Sequence, residues 1–276
     1  ELYQKREYLN SDFRIFHLKD QVDTEFDYHT HNFHKITIFI SGNVQYFIEG
    51  KTYTLNPYDI VLVNRNDIHR IQVDSSIPYE RIIVYISPGF MEAYRTTEYN
   101  LAYCFEQARE KQSYVLRIPS LETSSLYKTT QRLERSFHDH EYAGSLYRQI
   151  LFLEFMIQLN RATLKEGIEY LDTKLYNKKV LDIMNYIQDH LTETISMDSL
   201  ASVFYLSKYH MMRLFKAETG VTIGHYITYR RLLLARRYIH SGMPITDACF
   251  ACGFQSYSAF SRAYKQEFKE PPRKLK

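Results

Sequence analysis

The stretch Ser207-Lys-Tyr-His-Met-Met-Arg-Leu-Phe-Lys-Ala-Glu218 recurs as Ser256-Tyr-Ser-Ala-Phe-Ser-Arg-Ala-Tyr-Lys-Gln-Glu267, 49 residues later. Ser, Arg, Lys and Glu are identical between the copies, and Met211/Phe260 and Phe215/Tyr264 keep bulky apolar groups in register. Upstream, Ala201-x4-Leu206 matches Cys249-x4-Phe254 at an offset of 48, so the turn of the second copy is one residue longer. Self-similarity at a fixed spacing marks a repeated supersecondary unit. Each copy predicts a short helix, a turn and a longer helix, which is the helix-turn-helix plan.

Helix ends follow from local chemistry. Ser196 is placed to cap a short helix through Phe204, and Ser207 another that stops at Thr219-Gly220, where Gly supplies the left-handed residue. Thr222 opens a long helix to His240, a short one lies around 246–252, and the last runs from Ser256 to Phe268. Val180, Ile183, Met184, Ile187 and Leu191 form an apolar face ahead of the repeat. In the first copy Tyr209, Met212, Arg213 and Lys216 oppose Met211, Leu214 and Phe215; in the second, Ser258, Ser261, Arg262 and Lys265 oppose Phe260, Ala263 and Tyr264. One face packs, and the other suits a major groove, where Arg hydrogen-bonds guanine and Ser serves base or phosphate. A solvated basic face would produce the same pattern in one helix; two copies in a basic segment tip the balance. Residues 174–276 hold 16 Lys and Arg against 8 Asp and Glu, leaving 19 against 24 in residues 1–173. A positive surplus confined to one part of a chain whose net charge is only +3 points to a polyanionic partner there. The connecting helix carries Arg230, Arg231, Arg236 and Arg237, at least two of which are expected to serve packing and structural pairing.

The preceding part differs in kind. Ile36–Ile40, Val44–Ile48, Ile60–Val63 and Ile82–Ile86 are β-branched and aromatic, separated by Ser41-Gly42, Gly50, Asn56-Pro57 and Pro88. Short strands at this spacing predict an antiparallel barrel or sandwich. The segments 90–108, 120–137 and 144–161 then turn to helical periodicity. In the last, Leu146, Ile150, Leu153 and Ile157 form one line, broadened by Leu151, Phe152, Phe155, Met156 and Leu159. So broad an apolar face implies cover on two sides, from its own domain and either from the same chain or from a second protomer. The expected organisation is residues 1–165, a linker at 166–177 and a helical domain at 178–276. With 276 residues, 45% hydrophobic and 24% charged, the chain is sized for two folded domains and is not disordered. Three cysteines give no disulfide framework and suit a reducing cytosol. No signal-like segment or membrane-length apolar run is evident, so a cytoplasmic location without membrane contact is expected. Cys249-x2-Cys252 lacks the further ligand pair that structural zinc requires.

The C-terminal block resembles the DNA-binding domain of the AraC/XylS family of bacterial regulators. The resemblance rests on Leu200-Ala201, Leu206-Ser207, Arg213–Lys216, Gly220, Tyr226, Arg231-Leu232, Ala235, Ile245, Gly253-Phe254, Phe260–Lys265 and Pro272. Ala248-Cys249, Lys269 and Leu275 depart from its usual pattern. It implies that Lys208, Tyr209, Met212 and Arg213, with Ser256, Tyr257, Ser258 and Arg262, approach double-stranded DNA; the exposed helix faces add Ser207, Lys216 and Lys265 to the expected contact set. His29-Thr-His31 ahead of the first strong strand and His69 after the Pro57-Tyr-Asp59 turn resemble the cupin barrel, the sensor of many such regulators. Cupin enzymes add a Glu to such histidines to hold a metal; Lys35 stands near that place, and a cation there opposes an ion. The expectation is therefore no metal and no cofactor, and a pocket of His29, His31, His34, Lys35, Tyr46, Asn64 and His69 that takes a small-molecule effector, with carbohydrates among the candidates. Tyr and Phe would do the stacking, since Trp is absent. The fold class so implied is α+β with two domains: a cupin-like antiparallel β-barrel with following helices, then an all-α domain of two helix-turn-helix units joined by a long helix. The resemblance further implies a non-enzymatic transcription regulator, dimeric through its N-terminal helices, with RNA polymerase as a further partner. A metal-dependent cupin enzyme carrying a DNA-binding domain, and a constitutive DNA-binding protein whose barrel only dimerises, are the two rival readings.

Overall fold

A computed structural model of the chain describes residues 9, 11–21, 28–139, 141–165, 167–171, 178–268 and 271–272. Two compact units are present, Glu1–Lys174 and Leu175–Lys276. Lys269, Leu275 and residues 172–177 of the expected linker lie outside the described residues.

The first unit contains β1 (Phe13–Asp20), β2 (His34–Ser41), β3 (Asn43–Ile48), β4 (Lys51–Thr54), β5 (Ile60–Val63), β6 (His69–Asp74), β7 (Tyr79–Ile86), β8 (Val115–Arg117) and β9 (Glu169–Tyr170). They form a six-stranded antiparallel sheet in the order β1-β7-β2-β5-β8-β9 and a three-stranded one in the order β4-β3-β6. The domain is thus an antiparallel two-sheet structure, and no closed barrel ladder is present among the described residues. The chain leaves the large sheet after β2 at a bulge between Phe39 and Ser41. It then turns at Gly42, whose φ of +130° strains any L side chain and where a Cβ would crowd Tyr79 Cα at 3.1 Å. β2 is buried along most of its length because both of its faces are covered, which is why it reads as a continuous apolar run. β1 escapes such a reading: it is an edge strand that alternates exposed Arg14, His17 and Lys19 with more buried positions. Its pairing with β7 runs unbroken from Phe13↔Ile86 to Asp20↔Tyr79.

The helical segments sharpen on folding. The stretch 90–108 breaks into α1 (Pro88–Ala93) and α2 (Tyr103–Glu110). Between them Thr96 Oγ1 accepts from the amides of Glu98 and Tyr99, and Asn100 Oδ1 from that of Ala102. Short polar side chains compete here for backbone groups that a continuous helix would use. Next come α3 (Ser125–Ser136), capped by Ser124, and α4 (Gly144–Thr163). In α4 the packed side is not the line Leu146, Ile150, Leu153, Ile157: Leu151, Phe152, Phe155, Met156 and Leu159 are fully buried, while Leu146, Ile150 and Ile157 are exposed by 57%, 52% and 42%. The larger aromatic area decides the rotation of the helix, and Phe152 stacks on Phe13 of β1 at 4.0 Å. The expected linker is also shortened. Glu169 and Tyr170 pair with Arg117 and Leu116, and Ser113 Oγ donates to the Leu171 carbonyl at 2.8 Å, so residues to Leu171 belong to the first unit.

The second unit is helical: α5 (Lys178–Asp189), α6 (Met197–Val203), α7 (Lys208–Thr219), α8 (Ile223–His240), α9 (Ile245–Ala251) and α10 (Tyr257–Phe268). The repeat is reproduced closely: α6 and α9 have 7 residues each and α7 and α10 have 12 each. Each copy has its own core. Phe215 meets Tyr226 at the start of α8, and Leu232, Ala235 and Ile239 further along α8 pack with Ala248, Cys249, Phe260 and Tyr264. Gly253 (φ +86°) closes the turn after α9; a built Cβ would lie 2.9 Å from the Thr192 carbonyl and 3.1 Å from the Arg231 guanidinium.

Candidate nucleic-acid interface and sensor site

The unpacked sides of α7 and α10 carry the expected residues. Lys208, Tyr209, Met212, Arg213 and Lys216 are exposed, as are Tyr257, Ser258, Arg262 and Lys265. Ser207 and Ser256 have a prior duty as helix caps: their hydroxyls accept from the amides of His210 and Ala259. Lys208 reaches Asp198 at 3.0 Å, an exposed pair of at most about 1 kcal/mol that exchanges readily for a phosphate. The Arg213 guanidinium lies 5.7 Å over the Tyr209 ring, and Arg262 donates to the Ser258 carbonyl of its own helix at 3.3 Å. Arginines of the connecting helix are turned to structure: Arg231 donates to the Leu191 and Glu193 carbonyls, Arg230 lies 5.0 Å over Tyr226 and Arg236 4.7 Å over Phe268. Tyr205, not singled out from the sequence, is 95% exposed with φ 52° in the first turn. Cys249 and Cys252 are buried thiols, and burial pushes Cys252 up to about 12.

In the first unit, polar groups gather on the inner side of β2. Alternation along the strand puts Lys35, Thr37 and Phe39 on one face, opposite Tyr85, Ile83 and Arg81 of β7. Lys35 lies 6.0 Å from the Tyr46 ring of the small sheet, so this face looks between the sheets. The extended segment around His29 joins β6 there through two backbone bonds, His29 N–H to the His69 carbonyl at 3.0 Å and His69 N–H to the His29 carbonyl at 3.1 Å. Two residues on, His31 shares the face of His29. The ring centroids of His29 and His69 are 4.3 Å apart, and those of His31 and His69 4.7 Å. His31 Nδ1 donates to the Phe33 carbonyl and His69 Nδ1 to the Asp67 carbonyl, both at 3.0 Å. Their Nε2 atoms are buried without a hydrogen-bond partner, as is Thr37 Oγ1. Burial, with Lys35 adding to it, lowers His31 well below the usual imidazole range. Burial and then His31 and His29 do the same to His69. Burial and then Arg81 lower Lys35 to about 8. The histidines are therefore neutral at neutral pH, with Nε2 lone pairs facing inward.

A model of the AraC-like ligand binding domain matches residues 15–156, and a helix-turn-helix domain model matches residues 200–276. The chain belongs to the AraC/XylS family of transcription regulators. Similar proteins include the HTH-type transcriptional activator RhaS of Enterobacter sp. (strain 638), 26% identical over 255 residues that cover 91% of this chain and 87% of that one. RhaS of Escherichia coli (strain SMS-3-5 / SECEC) is 24% identical over 253 residues, covering 91% and 88%. A structure of ToxT from Vibrio cholerae covers 95% of this chain and 97% of its own at 15% identity, with a TM-score of 0.37. As an AraC-family member the protein is a DNA-binding transcription regulator with an N-terminal ligand-binding domain, not an enzyme.

Within this AraC-type regulator the sequence-predicted sensor residues divide. His29, His31, Lys35 and His69 come together. His34 is turned to the opposite face of β2, where its ring packs 4.6 Å from Phe105 of α2 and its Nδ1 accepts from the Arg65 amide. Asn64 is buried, but its backbone and side-chain N–H groups both donate to Asp67 Oδ2, bracing the turn into β6. Tyr46 is buried and bonds Tyr79 hydroxyl to hydroxyl at 2.9 Å. Thr37, Tyr79 and Arg81 join the inner face unforeseen. For Thr37 the period-two alternation from Lys35 was the available signal; the other two depend on the pairing of β7, which no local pattern announces.

Proposed function

We propose that this regulator reads two successive major grooves through α7 and α10, in response to a small molecule held between the sheets of its sensor. The observation that carries the DNA half is the pair of 12-residue helices, each capped by Ser, each with an apolar side packed and a polar, cationic side exposed. Arg213 and Arg262 are the base or phosphate contacts of the two copies, and α8 sets their separation. The first copy, with more charge and the shorter turn, contributes more affinity; the serine-rich second is more permissive. The test is operator selection followed by Arg213→Ala and Arg262→Ala: each weakens binding by about 1–3 kcal/mol, and log affinity falls linearly with log salt. Unchanged affinity in both variants, or a flat salt dependence, overturns the reading.

For the sensor, the buried Lys35, the unpartnered Thr37 hydroxyl and the histidine edges favour an oxygen-rich or anionic effector, carbohydrates included, in a cupin-like pair of facing sheets. A thermal-shift screen of sugars and organic acids tests this, with Lys35→Met abolishing any shift. The exposed line of α4, Leu146, Ile150 and Ile157, supports a homodimer formed through the sensor helices. Such a regulator acts in the cytoplasm, with RNA polymerase as the partner that transmits its effect. No helix among the described residues is long and apolar enough to cross a membrane.

A further inference from the structure

We propose that His29, His31 and His69 bind a divalent transition-metal ion, zinc being the reference case, inside the sensor domain. The inference rests on the reading of this region as the sensor, but it concerns an ion rather than the organic effector.

Three features of the fold build the site. An extended His-x-His segment presents two imidazoles on one face, and the paired backbone bonds between His29 and His69 set the third beside them. One ring nitrogen from each histidine lies within 4.8 Å of the other two, and this is the only such group of three among the described residues. Bonds of about 2.0–2.1 Å to a tetrahedral ion place nitrogen donors roughly 3.3 Å apart, so ring rotations rather than backbone movement close the site.

The buried atoms point the same way. His31 and His69 each donate Nδ1–H to a backbone carbonyl, which fixes the tautomer and leaves Nε2 as the lone-pair atom. Those two Nε2 atoms have no partner although their residues are 9% and 0% exposed. A buried acceptor left unsatisfied costs about 1–3 kcal/mol. Backbone carbonyls on the far nitrogen are the usual way a metal-binding imidazole is oriented. Three nitrogen donors leave a coordination position open, where an oxygen of the effector or a water completes the shell.

Lys35 is the opposing element. Its ammonium faces the same interior and repels a cation. A site that binds metal in spite of Lys35 should bind it more tightly without that charge, and this gives the experiment a direction that adventitious binding does not share.

The full chain is stripped with a chelator and titrated with Zn2+ against a chromophoric competitor, and with Co2+ by visible absorption. The expected result is one ion per chain, a cobalt spectrum of tetrahedral or five-coordinate type, and a rise in the melting temperature with zinc. His31→Gln and His69→Gln weaken binding by more than the roughly 10–100-fold that loss of a mere supporting hydrogen bond costs. Lys35→Met tightens it, and the exposed His210→Gln and His225→Gln leave it unchanged. His29→Gln, at the partly exposed edge, replaces either buried variant if that variant does not fold. Several weak sites indifferent to His29, His31 and His69, or no ion held more tightly than by the His210 surface, would overturn the proposal. Because ion binding is read directly, it fails or stands apart from the organic-ligand screen that tests the effector reading.

Discussion

In the first unit His31, Lys35, Thr37, Asp59, Asp67, His69 and Arg81 are all buried, whereas in the second Thr219 is the one buried polar side chain among the described residues. The second unit reverses the arrangement: an apolar core holds helices whose Lys, Arg, Tyr and Ser side chains face water. Each follows from its ligand. DNA is a charged surface too large to enclose, so its reader displays donors on rigid helices and avoids desolvating them beforehand. A small molecule is enclosed, so its receptor carries buried polar groups whose desolvation the ligand offsets.

Acid should separate the two units most widely. Burial holds His34 at about 3 and lowers His31 and His69 well below 6.5. The unfolded state therefore takes up protons below pH 6.5 that the folded sensor refuses, and stability falls as pH falls. For His34 the loss by pH 5 is about 2 kcal/mol, and His31 and His69 shift stability in the same direction. The second unit has no buried histidine among the described residues, so hydrogen exchange on the full chain at pH 7 and 5 should show protection lost in residues 34–86 and retained in 180–268. Equal loss in both would remove the contrast.

A smaller effect comes from a single buried ion pair. Asp59 accepts two hydrogen bonds from Arg117 at 2.8 and 2.7 Å and a third from the Asn56 amide at 2.7 Å. Asp59→Ala is expected to cost the sensor about 3 kcal/mol in chemical unfolding without altering operator affinity at saturating folded protein. On the DNA side the order reverses. Arg213→Ala costs about 1–3 kcal/mol of operator affinity, with Arg262→Ala at the lower end, and neither shifts the unfolding midpoint appreciably. If Arg262→Ala is the more damaging, the two copies have the opposite ranking. Least of all should Ile150→Lys on α4 change the fold, by no more than about 0.5 kcal/mol; sedimentation should nevertheless show the monomer in place of the proposed dimer.

The two units were also unequally legible. Both helix-turn-helix copies could be read to within a residue or two, because Ser207, Thr222 and Gly220 act on their own helix ends and one copy calibrates the other. In the sensor, the central strands betrayed themselves by apolar composition. The edge strand β1, the short β8 and β9 and the break between α1 and α2 did not. The side of α4 that packs was not legible, since Leu146 and Phe152 look equally apolar in one dimension and only Phe13 across the interface distinguishes them. His34 is expected in the pocket from the sequence, but alternation along β2 turns it away from Lys35 toward Phe105.

The sequence by itself determined the repeat, its caps, the charged faces of α7 and α10 and the presence of a β-rich partner domain. These depend on interactions over a few residues or on comparison of the chain with itself. Only the tertiary structure decided that His69 lies beside His29 and His31, that Asn64 braces a turn and that Lys35 looks between two sheets. Those outcomes hang on strand pairing across some 40 residues, where register is set by the joint burial of many side chains and not by any local preference.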